Sequence, residues 1–156
     1  MEAPQKIEPN GLGDYLEVMS KAVFQTGINW GVVHKKWPGI REAFKGFEAP
    51  AVAGLRPDEI ESLQGDTRII RNAKKIEAIV ENARRMLELE AKHGSFRDYL
   101  RSHGGFEETV KDLRKQFKLL GDTGAYYFLY VVNEPVPSYE DWRRSRGREP
   151  QAIAGR

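Results

Sequence analysis

Cysteine is missing from all 156 residues. That excludes disulfides, cysteine-ligated zinc, iron–sulfur clusters and thiol nucleophiles together. Long apolar runs are missing too: nothing approaches the roughly 20 consecutive apolar residues that span a bilayer. The opening MEAPQKIEPNG has neither the basic n-region nor the apolar h-region of a secretory signal, so a cytoplasmic location is the expectation. Charge of one sign is scarce. The 25 basic and 23 acidic residues leave a net +2, which by itself does not argue for a nucleic-acid partner. Strand signals are thin, and there is no internal repeat or low-complexity block.

What is present describes one compact helical domain. Hydrophobic residues make up 40% of a chain whose mean hydropathy is −0.61, enough to bury a core at this length. Leu16, Met19 and Val23 follow helical spacing up to Gly27. A second helix is expected from about Asn29 to Lys36, ended by Trp37-Pro38, and a third begins at Pro38 with Ile40, Ala43, Phe44 and Phe47. Short segments open at Ala49-Pro50 and Pro57. The longest helix is predicted from about Ile70 to His93, with a stripe of Ile76, Ile79, Val80, Ala83, Met86 and Leu87, stopped by Gly94. Ser95 caps a short helix to Leu100, and another runs from Phe106 to Leu119. The β-prone run YYFLYVV lies between a helix start at Asp122-Thr123 and a stop at Asn133-Glu134-Pro135, so it reads as a buried helix. The result is an all-α fold with an N-terminal arm (1–11), a helical domain (12–142) and a basic tail (143–156) that frays at QAIAGR.

The distribution of charge says more than its sum. Arg68, Arg71, Lys74, Lys75, Arg84 and Arg85 are opposed only by Glu77 and Glu81, and a second cluster gathers Arg143, Arg144, Arg146 and Arg148. The first cluster falls on IESLQGDTRIIRNAKKI. Here a short helix ends at Gln64, the chain turns at Gly65, and a basic helix begins. Free backbone N–H groups and the positive end of the helix dipole would face that turn, a corner able to grip a DNA phosphate without reading a base. A plain helical hairpin with a solvated basic face is the alternative. In FQTGINW, Trp30 either packs between the first two helices or walls a pocket for a flat ligand.

Three motifs in order extend this reading: Gln25 to Trp30 followed by Lys35-Lys36, Ile69-Ile70-Arg71 through Ile76, and Gly121 to Phe128 in GDTGAYYF. Over roughly residues 14–132 the chain resembles the type I 3-methyladenine DNA glycosylases of the helix-hairpin-helix superfamily. The resemblance implies binding of duplex DNA, extrusion of an alkylated adenine and hydrolysis of its N-glycosidic bond in base excision repair. It implies that Trp30 stacks on the cationic base, with Gln25, Thr123 and Tyr126 (and, more weakly, Phe128) around it. It also implies that Gly65, Arg68, Arg71, Lys74 and Lys75 face the DNA backbone. Core packing for Tyr126 and Phe128, and helix capping for Thr123, are the competing readings.

The chain departs from the family pattern in three places. The family glutamate, eight residues before the tryptophan, is Ala22 here. The family zinc site of two cysteines and two histidines has no counterpart, since cysteine is absent and His34, His93 and His103 do not reproduce its spacing. The family's N-terminal Trp-Gly element and pocket aromatics are also absent from MEAPQKIEPNGLGD. Glu17, Asp122 and Glu134 are the candidate replacement carboxylates. The expectation is a monomeric glycosylase acting on alkylated duplex DNA without metal or cofactor. A non-catalytic damage-binding module and a helical protein-interaction domain stand as alternatives.

Overall fold

The computed structural model describes residues 4–146, and every regular element among them is helical. They are α1 (Leu12–Gln25), α2 (Trp30–Ala43), α3 (Ala49–Ala53), α4 (Pro57–Gln64), α5 (Ala73–His93), α6 (Phe96–Leu100), α7 (Phe106–Gln116), α8 (Asp122–Val131) and α9 (Tyr139–Ser145), with a 3-10 turn at Lys45–Phe47. The all-α expectation holds, and YYFLYVV is helix. Among the described residues no helix is long and apolar enough to cross a membrane. The core forms around α5, whose buried stripe Ile76, Ile79, Val80, Ala83, Met86 and Leu89 has the 3.6-residue period of a one-sided helix. Leu89 takes the end of the stripe, and Leu87 is only partly buried against it. α5 packs on α1, α3, α4 and α6, and α1 packs in turn on α8.

The break expected at Trp37-Pro38 does not occur: α2 runs through Pro38 to Ala43. Proline removes one helical hydrogen bond, to the carbonyl four residues back. That residue is His34, which is exposed, so water can satisfy the freed oxygen. Trp37 meanwhile is held from outside the helix. Its Nε1–H donates to Glu17 Oε2 at 2.8 Å, and its ring stacks on Phe47 at 5.4 Å and meets Phe24 edge-on. Packing overrides the local signal.

Two other boundaries move for similar reasons. α5 begins at Ala73, not Ile70, because Asn72 caps it by accepting from the Lys75 N–H at 3.1 Å, while Ile69 turns into the core. α7 stops at Gln116, not Leu119. The buried Asn82 amide clamps the next stretch, accepting from Lys118 N–H at 2.8 Å and donating to Lys118 O at 3.2 Å.

Both ends of the described chain dock on α8. In the arm, Ile7 N–H donates to Val131 O at 2.7 Å, and Glu8 meets Arg97 and Asn133. Beyond α8, Glu134 is buried and takes a two-pronged bond from Arg101 at 3.0 and 3.1 Å. Ser138 then caps α9, and Trp142 stacks on Tyr126 at 4.5 Å. The first residues of the expected basic tail, Arg143 to Ser145, are thus helical, whereas Arg148 and QAIAGR lie outside the described residues. Removing this ring should show how much the clasp contributes. Trp142→Ala should cost about 3–5 kcal/mol, a fall in Tm on the order of 10 °C for a chain of this size. An unchanged melting curve would mean that α9 does not pack here.

Candidate nucleic-acid interface

The FQTGINW segment is the corner between α1 and α2. Gly27 turns the chain with φ 73, a left-handed conformation that glycine adopts without penalty. Asn29 caps α2 by accepting from Gly31 N–H at 2.7 Å. Trp30 is therefore the first residue of α2, with its ring at the surface, 38% exposed. This rules out the core reading. The edge of Tyr127 meets it at 6.3 Å between ring centroids, and His34, one turn along, lies at 6.0 Å. Gln25 closes α1, half-buried, and its side chain makes no hydrogen bond among the described residues.

Lys75 holds this corner in place. Its ammonium donates to Phe24 O at 2.9 Å and Thr26 O at 2.6 Å, carbonyls at the negative end of α1 that have no helical donor. The residue is buried, and burial pushes its ammonium below the ordinary lysine range. The expectation that Lys75 faces a phosphate is corrected: both its position and its donors are committed to the protein interior.

The start of α8 lies against α1. Ala22, at the family glutamate position, is buried, and a methyl added to Gly124 would sit 3.6 Å from the Ala22 methyl and 3.1 Å from Leu120. Here α1 and α8 come together at the distance small residues permit. Thr123 is not a cap. It is the second residue of α8, exposed, and its hydroxyl makes no hydrogen bond among the described residues. It borders an open groove of about 1110 Å³ together with Val23, Thr26, Lys75, Gly121 and Gly124.

Tyr126 is the second correction. Its ring stacks on Trp142 and Tyr139 flanks it, while its hydroxyl donates to Pro137 O at 2.6 Å. It points toward α9, away from Trp30. The neighbouring Tyr127, about 100° around the helix, makes the Trp30 contact. Phe128 is core, packed on Tyr15 and Phe96.

All three candidate carboxylates are engaged. Glu17 binds Trp37 and Arg41, Asp122 binds Arg114 and Arg146, and Glu134 binds Arg101. The zinc pattern does not fit either. The chain lacks cysteine, and no group of three or more metal-ligating side chains occurs among the described residues.

The hairpin connection spans residues 65–72 between α4 and α5. Asp66 organises it, taking the Arg68 guanidinium at 2.7 Å and the Arg68 N–H at 2.8 Å, while Glu42 reaches Arg68 at 3.4 Å. The Arg68 charge is thus partly neutralised within the protein. Lys36 donates to Thr67 O at 3.2 Å, and Gly39 lies against the Arg68 backbone, so α2 buttresses the turn. Arg71 and Lys74 are exposed and unpaired among the described residues, as are the N–H groups of Ala73 and Lys74 at the start of α5. Gly65 sits at the α4 end of the turn in an ordinary backbone conformation. Sequence reasoning missed Tyr127, Thr26 and the role of Lys75. For Tyr127 a signal existed: it stands four residues after Thr123, on the same helix face.

Comparison with known proteins places this geometry among relatives. Residues 13–125 match the family model described as methyladenine glycosylase. DNA-3-methyladenine glycosylase 1 of Escherichia coli (strain K12) is 31% identical over 136 residues, covering 72% of this chain and 73% of its own length. The structure of 3-methyladenine DNA glycosylase I from Staphylococcus aureus is similar at a TM-score of 0.71 and 25% identity, over 82% of this chain and 79% of that one. A variant of 3-methyladenine DNA glycosylase I in complex with 3-methyladenine also gives a TM-score of 0.71 at 25% identity, with 82% and 80% covered.

The Lys75 assignment separates structure from DNA contact. Lys75→Met leaves two carbonyls without their donor and should cost about 2–4 kcal/mol, read by urea denaturation. The salt dependence of DNA binding should keep its slope. A slope reduced by about one with stability unchanged would return Lys75 to the phosphate-binding set.

Proposed function

The chain belongs to the methyladenine glycosylase family, and on that premise we propose that it excises 3-methyladenine and related alkylated purines from duplex DNA. It acts as a cytoplasmic monomer that needs no metal or cofactor. The observation that carries this reading is the placement of Trp30: a half-exposed indole at the start of α2, edged by Tyr127, on the helix whose later turns buttress a hairpin with free cations. Arg71, Lys74 and the first N–H groups of α5 hold the backbone, and the damaged nucleotide leaves the stack to reach the groove. A purine carrying a methyl-induced positive charge settles on the indole face, an attraction of about 0.5–2 kcal/mol. The bond from the sugar C1′ to the base then breaks, its electron pair neutralises the base, and water adds to C1′ and loses a proton to solvent. The base leaves neutral without being protonated, so the reaction requires no general acid, consistent with alanine at position 22.

A second reading has its own observation. With Ala22 in place of the glutamate and Glu17, Asp122 and Glu134 all paired, the scaffold also suits a damage-binding module without hydrolysis. Incubation with methylated duplex DNA distinguishes the two. Released 3-methyladenine is expected, with Trp30→Ala slowing release at least about tenfold, a loss of about 1.4 kcal/mol. Arg71→Ala with Lys74→Ala should flatten the slope of log affinity against log salt by about 2. Tight binding of methylated DNA with no release would establish the module instead.

A further inference from the structure

Among the buried and half-buried tyrosines, Tyr127 stands out as the one whose ring meets Trp30. The Tyr99 hydroxyl donates to Asp112 at 2.6 Å, that of Tyr126 to Pro137 O at 2.6 Å, and Tyr15 faces the Arg97 guanidinium. The hydroxyl of half-buried Tyr127, like that of Tyr130, has no hydrogen-bond partner among the described residues, which leaves it free to meet a ligand. The Tyr127 ring stands 67° to Trp30, so the two rings form an aromatic corner. Thr123, one turn earlier on α8, lines the open groove together with Thr26.

We propose that Tyr127 is the polar contact for the edge of the flipped base, an uncharged hydroxyl serving where this chain has alanine in place of a carboxylate. The inference rests on the glycosylase reading and adds a residue to it. Of the polar groups lining the groove, Asp122 is committed to two arginines, Lys75 to two carbonyls and Thr26 to Ala22 O, whereas the Thr123 hydroxyl is free. A phenol both donates and accepts, so it can meet a ring nitrogen or an exocyclic amine of a purine. Burial raises its ionisation to about 12, so the group stays protonated well above neutral pH. The contact therefore does not titrate between about pH 5 and 9, where a carboxylate contact would weaken at the acid end as it gains a proton near its ordinary pKa of about 4.

The test is Tyr127→Phe, which keeps the ring and removes only the oxygen. Single-turnover release from methylated duplex should fall about tenfold, the affinity for free 3-methyladenine should fall by a similar factor, and the Tm should match wild type. Wild-type release should be level from pH 5 to 9. Release by Tyr127→Phe at the wild-type rate overturns the assignment while leaving the glycosylase reading intact. So does an acid limb with an apparent pKa between 5 and 9 that persists in Tyr127→Phe. If wild type releases no base, the glycosylase reading fails separately. Free-base binding then decides on Tyr127: weaker binding by the variant supports the contact, and equal binding or none by either protein overturns it.

Discussion

The rest of the structure depends on one buried cation. Lys75 reaches from the first turn of α5 to the last carbonyls of α1, where the helix presents negative ends with no donors of its own. With those oxygens fixed, the chain leaves α1 in one direction, turns at Gly27 and starts α2 on Trp30. The side chain before Lys75 does the opposite. Lys74 stands about 100° around the helix, in solvent on the hairpin. Two adjacent lysines thus divide the work of α5, one holding the corner that carries the aromatic wall and the other facing outward beside Arg71.

On the far side of the groove, α8 is positioned by its ends. The arm bonds to Val131 and α9 stacks through Trp142 on Tyr126, while Gly124 lets the helix approach Ala22. These contacts turn Tyr126 toward α9 and Tyr127 toward Trp30. The groove carries charge from Glu108, Lys111 and Lys115 of α7, whereas the corner of Trp30 and Tyr127 is aromatic. Such a surface suits a leaving group that already carries its positive charge, because catalysis then needs a face for the cation and a polar edge more than a proton donor.

The helical class, the long α5 and the exposed hairpin cations were legible in the sequence because each rests on periodicity or local charge. The motif pointing to Trp30 was legible too, although its exposure was not: an indole after a glycine turn reads equally as core. Tyr126 was favoured over Tyr127 because the family motif in GDTGAYYF falls on Tyr126, although Tyr127 is the one that shares a helix face with Thr123. Lys75 looked like surface charge because its partners lie 49 and 51 residues away, and backbone carbonyls leave no mark in a sequence. Pro38 misled for the same kind of reason, since the contacts that carry α2 through it come from Glu17 and Phe47.

The three tryptophans report on three different places: Trp30 at the exposed start of α2, Trp37 in the core and Trp142 on α9 against Tyr126. Following their indole N–H resonances during titration with free 3-methyladenine tests directly where the base sits. The Trp30 signal is expected to move with saturable binding while those of Trp37 and Trp142 stay in place. Movement of Trp142 with Trp30 unchanged would put the base on the Tyr126 side and contradict the site described.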